Sequence, residues 1–98
     1  MRTLLKMQLP TDAANQALRD GRMEKVLMET AEALKAESAY FGLDNGLRTM
    51  WAVFDLEHPG RMPSLLEPAM QELNAAVFLS PVMTPQDLAA ALAEGIIH

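Results

Sequence analysis

Apolar and polar residues alternate along Arg2–Leu9, with Thr3, Leu5, Met7 and Leu9 on one side and Arg2, Leu4, Lys6 and Gln8 on the other. A period of two over this length predicts a strand with one strongly apolar face, which Pro10 ends. Thr11 is placed to cap a helix and Asp12 to meet its positive end. A short helical segment, Asp12 to Arg19, precedes Gly21, which breaks or kinks it. Beyond it, Met23, Val26, Leu27, Thr30, Ala31 and Leu34 recur at helical spacing and form one stripe, with Glu24, Lys25, Glu29, Glu32 and Lys35 outside it.

Ser38 to Asp55 reads as two strands joined by Asn45-Gly46. Asn and Gly tolerate positive φ, which a type I′ turn requires at both central positions. Counting outward pairs Leu43 with Arg48, Gly42 with Thr49, Phe41 with Met50, Tyr40 with Trp51 and Ala39 with Ala52. One face then holds Ala39, Phe41, Leu43, Met50, Ala52 and Phe54. The other mixes Tyr40, Gly42, Thr49, Trp51, Val53 and Asp55.

Glu57 to Pro63 carries two prolines and a glycine and reads as a loop. Ser64 and Glu67 fit a capping box for the next helix, with Pro68 in or near its first turn and Leu65, Leu66, Ala69, Met70 and Leu73 as its buried stripe. Ala76 to Met83 is a fourth strand, and Pro81 suits an edge position, where a missing N–H costs least. Thr84-Pro85-Gln86-Asp87 starts a last helix with Thr84 as cap, Pro85 at its first position and Asp87 closing the box. Its narrow apolar stripe is Leu88, Ala91 and Leu92.

The order β-α-β-β-α-β predicts an α+β fold: a ferredoxin-like, four-stranded antiparallel sheet with a C-terminal helix, residues 1–98 forming one domain. Right-handed crossovers favour the spatial order 4-1-3-2. Helix stripes are expected to cover Leu5, Met7, Phe41, Met50, Phe54, Val77 and Leu79. The opposite side is expected to present Leu4, Lys6, Gln8, Tyr40, Thr49, Trp51, Val53, Asp55 and Phe78. Left in water, it would form an apolar patch larger than soluble monomers usually carry. Two such faces stacked about a two-fold axis bury each other, so a homodimer is expected.

The net charge of −5 opposes nucleic-acid binding, which wants a basic patch to neutralise phosphates. There is no cysteine, so neither disulfides nor thiolate chemistry are available. No apolar run approaches the roughly 20 residues that span a bilayer, and Lys6 and Gln8 interrupt any signal-like start, so a soluble cytoplasmic protein without a membrane partner is expected.

Tyr40-Phe41, Arg48-Thr49, Val53-Phe54-Asp55, Leu73-Asn74-Ala75 and Pro81-Val82-Met83, with the Asn45-Gly46 hairpin, resemble the dimeric α+β barrel superfamily. That group includes muconolactone isomerase-like proteins, cofactor-independent antibiotic-biosynthesis monooxygenases and haem-degrading monooxygenases, and within it the closer resemblance is to a group of small uncharacterised bacterial proteins. The resemblance implies the fold, a dimer and a cavity between the sheets, and transfers no catalytic residue. Haem-degrading members use a histidine ligand near a helix, whereas His58 falls in a Pro-Gly loop and His98 ends the chain, so no cofactor is assigned.

Lys6, Gln8, Tyr40, Thr49, Trp51 and Asp55 are the candidate lining of an inter-sheet pocket for a small organic ligand. Lys6 and Asp55 read either as an acid–base pair flanking that ligand or as an interface salt bridge. Arg48, beside the turn, is placed to receive an anionic substrate at the barrel mouth, or is an ordinary exposed charge. Asp55, Glu57 and His58 offer metal-ligating atoms but run into the loop without a second histidine, and no metal is assigned. Of the eight methionines, Met7, Met23, Met50 and Met70 fall on packing stripes. Mixed polar and aromatic groups on an interface face suit a wet pocket better than a dry seam, so a small-molecule enzyme or carrier with an inter-sheet cavity is expected, the alternative being a non-enzymatic interaction module with a filled interface.

Overall fold

A computed structural model describes residues 1–95. Its strands are β1 (Arg2–Leu9), β2 (Ser38–Asp44), β3 (Leu47–Asp55) and β4 (Ala76–Pro81). Its helices are α1 (Thr11–Arg19), α2 (Met23–Leu34), α3 (Met62–Leu73) and α4 (Pro85–Ala93), with a short 3-10 turn over Pro59–Arg61. His98 lies outside the described residues. The strands form one antiparallel sheet in the order β2-β3-β1-β4, compatible with a ferredoxin-like fold. No helix among the described residues is long and apolar enough to cross a membrane.

The hairpin turn carries positive φ at both central residues, 52° at Asn45 and 74° at Gly46. The register follows, from Asp44↔Leu47 through Tyr40↔Trp51 to Ser38↔Val53. β1 adds its own register, Lys6↔Trp51 and Met7↔Met50, so the parity of one turn propagates to the centre of the sheet. Thr3, Leu5, Met7 and Leu9 then lie with Met50, Ala52 and Phe54 on the side that α1, α2 and α3 cover. From the helices, Ala14, Ala17, Met23, Val26, Leu27, Leu34, Leu65, Leu66, Ala69 and Leu73 complete the core.

Several local expectations give way. Thr11 is the first helical residue rather than the cap, which is Pro10. α3 starts at Met62, two residues ahead of Ser64, because the 3-10 turn already winds the chain; the Ser64 hydroxyl donates to the Arg61 carbonyl (3.1 Å) instead of capping. Pro68 therefore lies inside the helix, on its exposed side, where water can satisfy the Ser64 carbonyl that loses its partner. Met70 is exposed on the same helix. Phe41 is also uncovered, 51% exposed, because the helices pack on β3 and β4 and leave the edge strand β2 beyond them. β4 is the other edge and ends at Pro81, although Val82 N–H still donates to the Arg2 carbonyl (3.1 Å).

α4 stands apart. Its capping box forms: Asp87 N–H donates to Thr84 Oγ1 (3.1 Å) and Thr84 N–H to Asp87 Oδ2 (3.0 Å). Yet it buries none of its residues, and Leu88, Leu92 and the preceding Met83 are exposed. The chain is correspondingly long, 55 × 28 × 18 Å, with a radius of gyration of 15.7 Å where a compact domain of this size has about 13 Å.

Phe54 is 1% exposed at the centre of the core. Phe54→Ala should cost about 3–5 kcal/mol, measured as a lowered urea midpoint at unchanged slope. The Thr84 backbone amide and then the Thr84 hydroxyl hold the Asp87 carboxyl below the usual carboxylate range against a smaller desolvation effect, and the Arg2 charge adds the least. A depressed folded pKa means stability that is present at neutral pH and lost as pH falls through the folded value. NMR should therefore show the Thr84 amide signal moving in acid below the ordinary aspartate range, with α4 fraying while the sheet persists, and Asp87→Asn should remove that transition.

Candidate functional site

The sheet face away from the helices carries Arg2, Leu4, Lys6 and Gln8 from β1, and Thr49, Trp51, Val53 and Asp55 from β3. β2 adds Tyr40 and Gly42, and β4 adds Phe78. All six candidate pocket residues lie on it, but they divide into separate groups.

Trp51 organises the centre. Its indole leans diagonally across the strand pair over Gly42, where an added Cβ would come within 3.2 Å of the ring. Diagonal neighbours of this kind are within reach of an aromatic side chain, and the missing side chain at Gly42 is what leaves room for the ring. Tyr40, opposite Trp51, is 68% exposed, and Phe78 on the far side of β1 is 53% exposed. In the single chain this aromatic surface is open.

The polar groups sit toward the turn. Lys6 pairs with the Asp44 carboxylate, and its ammonium lies 5.6 Å from the centre of the Phe78 ring, within cation–π range. Gln8 Nε2 donates to Asp44 Oδ2 (3.1 Å) and to the Asp44 carbonyl (3.2 Å), and approaches Thr49 Oγ1 at 3.5 Å. Thr49 is buried and its hydroxyl donates to the Leu47 carbonyl (2.9 Å). Asp44 is the residue the sequence reading missed. It ends β2 beside the turn, and its reach past β3 to a β1 lysine has no signature in local spacing.

Lys6 and Asp55 do not meet. Asp55 is level with Arg2, four positions along β1 from Lys6, or roughly 13 Å at strand rise. Its carboxylate instead takes the N-terminal ammonium of Met1. Arg2 Nε donates to Glu37 Oε1 (2.7 Å), and its Nη1 is 3.4 Å from Asp87 Oδ2, which ties the start of α4 to β1. The hydrogen bond to Glu37 and the charge beside it raise the Arg2 pKa further. Every charged group on this face has an opposite partner within the chain.

Arg48 is on the other side. In register with Leu9 and Leu43 it faces the helices, and its Nη2 donates to Asn15 Oδ1 on α1 (2.9 Å). It does not stand at the mouth of an inter-sheet space.

Comparison with known proteins finds no matching family model, no matching curated protein and no matching solved structure.

Trp51 is the only tryptophan. Gly42→Val should displace its ring, seen as a changed near-ultraviolet circular dichroism band and a red-shifted emission, while the far-ultraviolet spectrum stays unchanged.

Proposed function

We propose that the chain acts as a homodimer whose two sheets stack through the open face, a non-enzymatic interaction module with a largely filled seam. The observation that carries this reading is the internal matching of charge on that face: Lys6 with Asp44, Arg2 with Glu37, Asp55 with the N-terminus. A face that neutralises itself can lie against its own copy without like-charge repulsion. Paired and hydrogen-bonded ions also tolerate burial far better than lone ones. Around them, Leu4, Val53, Trp51, Tyr40 and Phe78 supply apolar surface.

The unburied Met83, Leu88 and Leu92 add apolar surface to the seam if α4 lies against the second copy. The arrangement is the one implied by the likeness to the dimeric α+β barrel superfamily.

A second reading keeps a small organic ligand between the sheets. The clustering of Lys6 and Gln8 donors beside the Trp51 and Tyr40 rings favours it. The two readings part at Trp51→Ala, which abolishes ligand affinity in one and costs only stability in the other.

Native mass spectrometry and sedimentation of the purified protein should give twice the chain mass, and Phe78→Asp, at an exposed position outside the core, should give a folded monomer. A wild-type monomer at all concentrations would sink the proposal. A dimer with reproducible extra mass that Trp51→Ala removes would favour the ligand between the sheets.

A further inference from the structure

On the helix side of the sheet, a groove of about 210 Å³ opens between α2 and the β2–β3 hairpin. Leu9 and Met50 line it from the sheet, Met23 and Leu27 from α2, and Phe41 from the edge strand, with Arg48 among them. It exists because the helix layer stops short of β2, which leaves Phe41 as an overhanging wall rather than a packed one. The volume has room for roughly seven water-sized groups, which suits a short alkyl chain or a single ring.

Arg48 sets the chemistry of this groove. Among the half-buried cations, Arg2, Lys6, Arg22 and Arg61 each pair with a carboxylate. Arg48 alone among the described residues does not; its recorded partner is the neutral amide of Asn15. A guanidinium has five N–H donors in a planar fork that matches a carboxylate. Asn15 takes one and fixes the orientation of the group, so that Arg48 stands at the edge of a slot whose lining is almost wholly apolar. An apolar slot with one oriented cation is the arrangement that distinguishes an amphipathic anion from a neutral apolar molecule.

We propose that this groove binds a small amphipathic monocarboxylate, its apolar tail between α2 and the hairpin and its carboxylate on Arg48. The site lies on the opposite side of the sheet from the proposed dimer seam and is complete within one chain, so the two proposals stand or fall separately.

The probe is octanoate, with octanol as its neutral counterpart, added to protein carrying carbon-13 methionine methyls. Octanoate should shift the Met23 and Met50 signals and leave those of Met28 and Met83 in place. Arg48→Gln should weaken octanoate by about tenfold or more and leave octanol binding unchanged, and Arg48→Lys should recover part of the loss. The unchanged octanol affinity reports that the variant is folded. Phe78→Asp should bind octanoate as the wild type does. The proposal is overturned if octanoate and octanol bind alike, if Arg48→Gln has no effect on octanoate, or if the Phe78→Asp chain loses the site. It is equally overturned if the Met23 and Met50 signals follow protein concentration and ignore octanoate, since a second copy would then fill the groove.

Discussion

The structure hangs on the parity set by one turn. Asn45 and Gly46 both occupy the left-handed region, which closes the hairpin in two residues and leaves β2 and β3 no freedom to slide. Side chains alternate strictly across a strand, so a slip of one residue would send Phe54 and Met50 into water and Trp51 and Asp55 into the core. β1 is locked to β3 by the same logic, because its own apolar residues must share a side with Met50 and Phe54. The core and the open face are two consequences of that one register.

The open face resolves a problem that the register creates. Placing Leu5, Met7, Leu9, Met50 and Phe54 under the helices sends Arg2, Lys6, Asp55 and three of the five aromatics of the sheet to the other side. There the charges are taken up within the chain, by partners two strands away or at the terminus, and the aromatics remain as the Tyr40–Trp51 pair and, across Lys6, Phe78. Trp51 reaches over Gly42, the residue whose lack of a side chain would otherwise weaken the strand. A polar network that satisfies itself leaves little free hydrogen-bonding demand on this face, and that is why shape and apolar area dominate the proposed pairing.

What was legible in the sequence was what local chemistry decides. The hairpin pairing, the α2 stripe and the Thr84–Asp87 box each depend on residues within a few positions of one another, or on one turn that sets the count for the rest. The start of α3 was misread because a Pro-Gly segment that normally signals an open loop here winds into a 3-10 turn and feeds the helix two residues early. The exposure of Phe41 was misread because strand periodicity says which side a residue faces, not whether a helix reaches that far across the sheet. Of the six candidate pocket residues, the shared face was readable but the groupings were not. Lys6 chooses Asp44 over Asp55 because the pairing depends on position along the strands, and two carboxylates on one face look alike until the full sheet is registered.

The two sides of the sheet differ in how charge is treated, and that difference carries the functional argument. On the open side each cation has an anion, and the result is a surface suited to self-association. On the helix side Arg48 is brought in among Leu9, Met23, Leu27 and Met50 and is answered only by an amide. Holding a guanidinium at the edge of an apolar slot without a counter-charge costs solvation energy that a neutral partner does not fully return. An anion that arrives with its own apolar tail offsets that cost, satisfying the guanidinium and filling the gap beneath Phe41 in one event. The cation and the gap therefore have a common explanation in the proposed ligand, which would fit them both.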